Sequence, residues 1–133
     1  MHPAARTWFT WRTTATGDWP RARVRSDKGD QRVTVIIPAR DEESTVGDIV
    51  AALRAELMSG SKPLVDDLLV VDSDSGDATA RVAREAGARV VATTDVLPDI
   101  PTVAGKGEAM WRGLAATEGD VVVFLDADLR SFT

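Results

Sequence analysis

Between residues 32 and 133, short runs of β-branched and aliphatic residues alternate with stretches of helical period, and this alternation leaves little choice of fold. Val33-Thr34-Val35-Ile36-Ile37, closed by Pro38, reads as a buried strand. Ser44 to Met58 follows with Val46, Ile49, Val50, Leu53 and Leu57 at helical spacing. Leu68-Leu69-Val70-Val71 is a second strand ending in Asp72, and Asp77 suits the N-cap of a helix through Ala86, with Gly87 at its C′ position. Arg89 to Ala92 reads as a short third strand, Thr93 to Gly105 as a proline-containing loop, and Gly107 to Thr117 as a helix. Val121 to Leu125 reads as a fourth, buried strand. The order βαβαβαβ predicts an α/β fold: a Rossmann-like, mostly parallel sheet with helices on both faces and right-handed crossovers.

In such sheets ligands collect beyond the carboxyl ends of the strands, which is where the polar clusters of this chain fall. The first is Pro38-Ala39-Arg40-Asp41-Glu42-Glu43, whose acids could hydrogen-bond a base or ribose or simply begin a helix, where the dipole favours them. The second is Asp72-Ser73-Asp74-Ser75-Gly76-Asp77, which offers carboxylates and hydroxyls to a nucleoside or is a turn with a cap. It is not a calcium loop, because a strand precedes it and the bidentate glutamate is missing. The third is Gly105-Lys106-Gly107-Glu108, where glycines allow close backbone approach to phosphate, or a solvated lysine sits in a flexible turn. It lacks the spacing and the Ser/Thr of a P-loop. The fourth is Asp126-Ala127-Asp128 at the end of the last strand. Two carboxylates on one side of a strand tip need a cation or donors to offset their repulsion, and a hard divalent cation there could hold a diphosphate. The alternative is a solvated strand end.

Composition excludes several classes. There is no cysteine, and His2 is the only histidine, so disulfides, thiolate metal sites and Ser-His-Asp chemistry are unavailable within the chain. Residues 1–32 carry a net charge of +4 and residues 33–133 a net charge of −9. An acidic body argues against a nucleic-acid surface. No apolar run approaches the roughly 20 residues of a membrane span, and the start of the chain has no apolar block of a signal peptide. A cytoplasmic enzyme or binding domain is the expectation. Residues 1–31 show no period and hold Trp8, Trp11 and Trp19 among arginines. They are expected to be an irregular Trp/Arg-rich extension whose tryptophans pack on the domain, the alternative being a basic arm for a partner or an anionic surface.

Taken in order, Ile36 to Glu43, Val71 to Thr79, Gly105-Lys106-Gly107 and Phe124 to Asp128 resemble the nucleotide-sugar-binding half of GT-A glycosyltransferases. The runs Val96-Leu97-Pro98-Asp99-Ile100-Pro101, Gly105 to Arg112 and Gly119 to Leu129 narrow the resemblance to glucosyl-3-phosphoglycerate synthases and their mannosyl relatives. The resemblance covers residues 32–133 and implies a GT-A donor-binding region that is incomplete, cut after the Asp-x-Asp motif. It implies transfer of glucose from UDP-glucose to the hydroxyl of 3-phosphoglycerate, with retention at the anomeric carbon and with Mg²⁺ or Mn²⁺. By motif position, Pro38, Ala39, Arg40, Asp41 and Glu42 would line the uridine pocket, and Ser73 and Lys106 would hold the nucleoside or diphosphate. Asp126 and Ala127 would touch the ribose-sugar region, and Asp128 would ligate the metal. Asp74 stands where the family more often has glycine, and Arg40 brings a charge to the nucleobase pocket.

The resemblance further implies a second half that binds the acceptor and supplies more metal and catalytic groups; no candidate for a catalytic nucleophile or an acceptor-phosphate clamp stands out here, and the chain alone is expected to bind donor without turnover. A homodimer is compatible with the full-length protein. Glucose against mannose and UDP against GDP stay open. Two other readings remain: a non-catalytic nucleotide-binding module, and a polyprenyl-phosphate-type glycosyltransferase of the same fold. A nucleotidyltransferase would need a glycine-rich basic loop after the first strand, which Pro38-Ala39-Arg40-Asp41 does not supply.

Overall fold

The computed structural model describes residues 2–132. Two helices come first, α1 (Pro3–Arg12) and α2 (Arg21–Lys28), and then the alternating region begins. Its elements are β1 (Val33–Ala39), α3 (Val46–Leu57), β2 (Asp67–Asp72), α4 (Thr79–Ala86), β3 (Arg89–Ala92), α5 (Lys106–Ala115) and β4 (Val121–Phe124). The four strands form one parallel sheet in the order β3-β2-β1-β4. The expected α/β architecture is therefore present.

Alternation along the strands divides the core between two faces. Val35 and Ile37 of β1 and Leu68 and Val70 of β2 pack under Val46, Ile49, Val50 and Leu53 of α3 and Ala83 of α4. Ile36, Leu69 and Val71 face the other way, against Ala109 of α5, and Val122 and Phe124 of β4 join them. Side chains this well shielded contribute roughly 1.5–3 kcal/mol each. α5 lies close to the sheet because Gly113 has no side chain: a Cβ there would come within 2.7 Å of the Ile36 Cγ2. Gly87 ends α4 in the left-handed conformation, φ 100°, and Ala88 N donates to Ala83 O at 3.0 Å, the Schellman closure expected of a C′ glycine.

The strand order decides where a ligand can sit. The chain winds from β1 through β2 to β3 on one side, then crosses to place β4 on the other side of β1. The crevice between the carboxyl ends of β1 and β4 is the topological switch point, the preferred ligand position of an open α/β sheet.

Two expectations are corrected. The N-terminal extension is not irregular, since it holds α1 and α2. Pro3 occupies the first turn of α1, the His2 side chain accepts from Ala4 N at 3.3 Å, and Pro20 and Gly29 bound α2. Neither helix buries a residue, so neither leaves an apolar period to read. The tryptophans do not pack on the domain: Trp8, Trp11 and Trp19 are 60%, 80% and 45% exposed, and Trp19 instead stacks under Arg23, 4.7 Å from the guanidinium. This region is tied to the body by Lys28, which donates to Pro63 O at 2.9 Å and pairs with Asp66 at 2.7 Å, and by Arg21, which pairs with Glu56 of α3 at 2.8 Å. Burial acts to raise the Asp66 carboxyl, but Lys28, the Val33 N–H and the nearby Arg32 charge together hold it below its ordinary value.

β4, expected to be buried, is an edge strand. Val122 and Phe124 are covered from the α5 side, whereas Val121 and Val123 are 37% and 46% exposed. A strand at the edge has one neighbour only, and a run of apolar residues does not reveal that position.

Candidate functional site

At the switch point the ends of all four strands and the start of α5 surround a cleft of about 570 Å³. β1 delivers Pro38 and Ala39 to its wall, and the chain then turns through Arg40, Asp41 and Glu42 before α3 begins. The turn is tight enough to hold Asp41 at φ 56°. Aspartate is among the few non-glycine residues that tolerate this region.

The turn is held in place by the next one. Asp41 N donates to Ser75 Oγ at 3.0 Å, and Gly76 N donates back to Asp41 Oδ1 at 2.7 Å. Glu42 N donates to Thr79 Oγ1 at 2.7 Å, and Thr79 is completely buried. Glu43 N donates to Asp77 Oδ2 at 3.1 Å while Ala78 N donates to Glu43 Oε2 at 2.8 Å. Ser75 in turn donates to Asp72 Oδ1 at 2.5 Å, and Ser73 N donates to Ala39 O at 2.9 Å. The turns after β1 and β2 thus exchange hydrogen bonds in both directions. Asp77 is acidified chiefly by the Thr79 hydroxyl, against a smaller opposing effect of burial, with further help from the Thr79 and Glu43 amides. Its carboxylate is a structural acceptor at the start of α4, through Thr79 N at 2.9 Å, while the N-cap position itself falls to Ala78, one residue past the expected Asp77.

Past β4 the chain leaves the sheet. Leu125 N makes the last bond to β1, to Ile36 O at 3.0 Å. Ala127 then turns inward, 4% exposed and packed in the core, while Asp126 and Asp128 stay exposed on either side of it at the cleft. The two acids therefore flank an anchored residue, in a turn beyond the strand rather than along it. From the other side, Gly105 at φ 138° starts α5 and brings Lys106 to the cleft, where its ammonium pairs with the Asp126 carboxylate. Both side chains of this pair are about half exposed.

All of the residues expected at the site line this cleft except Asp41. Pro38, Ala39, Arg40, Glu42, Ser73, Lys106, Asp126, Ala127 and Asp128 are brought together from four separate segments. The Asp41 carboxylate turns toward Gly76 instead. Asp74, at φ 60°, also lines the cleft, as do Thr93, Thr94 and the segment Thr102 to Gly105.

That last segment belongs to a loop organised by Arg112, a residue singled out in the sequence only as part of a run. Arg112 is fully buried. Its Nε donates to Glu108 Oε1 at 2.7 Å, Nη2 to Ile100 O at 2.8 Å, and Nη1 to Leu97 O at 3.2 Å and also to Val96 O. The run Val96 to Pro101 and the run Gly105 to Arg112 thus form one structural unit: the second supplies the guanidinium that the carbonyls of the first surround. An arginine in the last turn of the helix, one turn after a glutamate, was the available signal.

Among the described residues no three histidine, cysteine, aspartate or glutamate side chains cluster closely enough to hold a metal on their own. The residues nevertheless fit a hard cation of the Mg²⁺ or Mn²⁺ kind, which takes oxygen ligands and is commonly held by one or two carboxylates together with substrate phosphates. Asp128 offers such a carboxylate at the cleft, with Asp126 two residues away and the Lys106 ammonium beside it. An exposed acid able to take a cation and one lysine at a switch point suit an extended anionic ligand with a polar head, rather than an isolated ion.

Comparison with known proteins gives the same picture. The model of glycosyl transferase family 2 matches residues 34–131. Glucosyl-3-phosphoglycerate synthase of Mycolicibacterium paratuberculosis (strain ATCC BAA-968 / K-10) is 44% identical over 123 residues, covering 92% of this chain and 36% of that protein. A crystal structure of the Mycobacterium tuberculosis glucosyl-3-phosphoglycerate synthase with Mn²⁺, UDP-glucose and phosphoglyceric acid superposes with a TM-score of 0.71 at 39% identity. It covers 88% of this chain and 39% of that one. Another, with Mg²⁺ and UDP, superposes with a TM-score of 0.74 at 38% identity, covering 88% and 39%. The chain spans little more than a third of the length of these relatives.

Proposed function

The chain belongs to glycosyl transferase family 2, and from that premise we propose that it is the donor-binding part of a glucosyl-3-phosphoglycerate synthase. The reaction is transfer of glucose from UDP-glucose to the hydroxyl of 3-phosphoglycerate, with retention and with a divalent cation. One observation carries the reading: the turn after β1 and the Asp126–Asp128 turn line one cleft at the switch point together with Lys106, which pairs with Asp126. The uridine lies against Pro38, Ala39, Arg40 and Glu42, with Ser73 at its edge, and Asp41 holds that wall from behind through Gly76. Lys106 sits by the diphosphate, Asp126 and Ala127 lie near the ribose and sugar, and Asp128 holds the Mg²⁺ or Mn²⁺.

The leaving group of such a transfer is a nucleoside diphosphate. A bound cation neutralises the charge that develops on it, acting as a Lewis acid. What this chain supplies is position. The interlocked turns fix the nucleoside wall, Lys106 places a positive charge on the diphosphate side, and Asp128 orients the cation. Lys106 is paired with Asp126 in this structure, so entry of a diphosphate offers its ammonium a second anionic partner. Acceptor recognition and the remaining catalytic groups belong to the part of the relatives that this chain does not span, and the chain by itself binds donor without turning it over. No helix among the described residues is long and apolar enough to cross a membrane, and a cytoplasmic enzyme suits these phosphorylated substrates.

Calorimetry with UDP in the presence and absence of Mn²⁺ tests the reading. The wild-type chain binds UDP more tightly with Mn²⁺, and Asp128→Ala loses that gain by about tenfold or more. Equal affinities in the two proteins would sink the cation assignment. Turnover of UDP-glucose and 3-phosphoglycerate by the 133-residue chain alone would show that the remaining part is not needed.

A further inference from the structure

Thr45 occupies the N-cap of α3, a position where threonine ordinarily accepts a hydrogen bond from an amide of the first helical turn. Here it makes no such bond. Its hydroxyl points away from its own helix and donates to Ala127 O, 82 positions along the chain, at 2.7 Å. Two other acceptors lie nearby, Glu42 Oε2 at 3.1 Å and Glu42 O at 3.4 Å. A hydroxyl has one proton to donate, and the shortest contact is the one to Ala127.

Both ends of this bond are well supported. Thr45 N and Val46 N donate to Glu42 O at 3.1 and 3.0 Å, and Val46 is completely buried in the core. On the other side the Ala127 methyl is packed in that same core. The peptide between Ala127 and Asp128 is therefore held from two directions, by its alanine side chain and by its carbonyl. Thr45 does not itself line the cleft. It stands behind it, joining the turn after β1 to the turn after β4, the two walls that meet at the switch point.

We propose that Thr45 is a positioning residue for the cation-diphosphate end of the site: its hydroxyl sets the orientation of the 126–128 turn and thereby aims the Asp128 carboxylate into the cleft. This rests on Asp128 being the cation ligand of the proposed donor site. Residues that orient a metal-binding side chain through one hydrogen bond typically change metal affinity by about 10–100-fold when removed. The bonds that interlock the turns after β1 and β2 do not involve the Thr45 hydroxyl, whose contacts with the nucleoside wall are the longer ones to Glu42.

The test uses the 133-residue chain and three titrants, UDP with Mn²⁺, UDP without metal, and uridine. Thr45→Val keeps the branched shape and removes the donor, and Thr45→Ser keeps the donor. The Mn²⁺-dependent gain in UDP affinity falls about tenfold or more in Thr45→Val and is retained in Thr45→Ser, while uridine affinity is the same in all three proteins. Circular dichroism establishes that each variant is folded, and Thr45→Ala carries the same expectation should Thr45→Val not fold. An undiminished Mn²⁺-dependent gain in Thr45→Val overturns the inference while leaving the donor reading intact. An equal loss of uridine and UDP affinity also overturns it, because the hydroxyl is then merely structural. A wild-type chain that shows no Mn²⁺-dependent gain overturns the donor reading itself, and the inference with it.

Discussion

Arg112 is the residue on which the distal wall of the cleft depends. A guanidinium removed from water needs partners, and here Glu108 and the carbonyls of Val96, Leu97 and Ile100 give each of its nitrogens at least one. Arg112→Leu leaves those acceptors and the Glu108 carboxylate without a partner. It should lower stability by about 3 kcal/mol, measured by urea unfolding. Arg112→Lys should recover little of it, because a single ammonium cannot span acceptors that a planar fork reaches together. Such roles are hard to read from sequence, since helical periodicity reports which side is apolar and not whether a charge on it reaches back to a loop. The acids of the turn after β1 show the same limit. Asp41, Glu42 and Glu43 were legible as a polar cluster at a strand end, yet only the folded chain distinguishes Glu42, which lines the cleft, from Asp41 and Glu43, whose carboxylates hold the neighbouring turn. Lys106 and Asp128, by contrast, were legible as cleft residues, because a lysine between glycines before a helix and an acid just beyond a strand both fall at the carboxyl end of the sheet.

Among the elements, α5 does most to shape the site, since it carries Lys106 at its start and Arg112 near its end. Its approach to the sheet is set by Gly113. A Cβ at this position would lie 2.7 Å from Ile36 Cγ2 and 3.2 Å from Val71 Cγ2, in a layer with no room to yield. Gly113→Ala should therefore destabilise the chain by about 1–3 kcal/mol, seen as a lower thermal midpoint, even though alanine favours helix. The helices and strands of the alternating region were legible to within about two residues, because each buries one face and so prints its period on the sequence. α3, expected from Ser44 to Met58, runs from Val46 to Leu57. α1 and α2 bury nothing, and a helix without a buried face leaves no such print.

For the molecule as a whole, the parallel sheet was legible and the order of its strands was not, since hydrophobic runs do not say which strand lies outermost. That order places β4 at an edge, with Val121 and Val123 exposed and one side of its backbone unpaired. Open edges of this kind recruit other chains. The isolated chain should associate as its concentration rises, and Val123→Lys should suppress this in light scattering while moving the unfolding midpoint little. The interlock between the turns after β1 and β2 has a consequence for how such a site can change. Most positions in those turns are committed to holding one another's backbone, so a substitution there risks the frame before it alters preference. Arg40, Ser73 and Asp74 line the cleft, and their side chains stand outside that exchange of bonds. On the proposed donor reading, these are places where a shift in nucleobase selectivity, by evolution or by design, can be written.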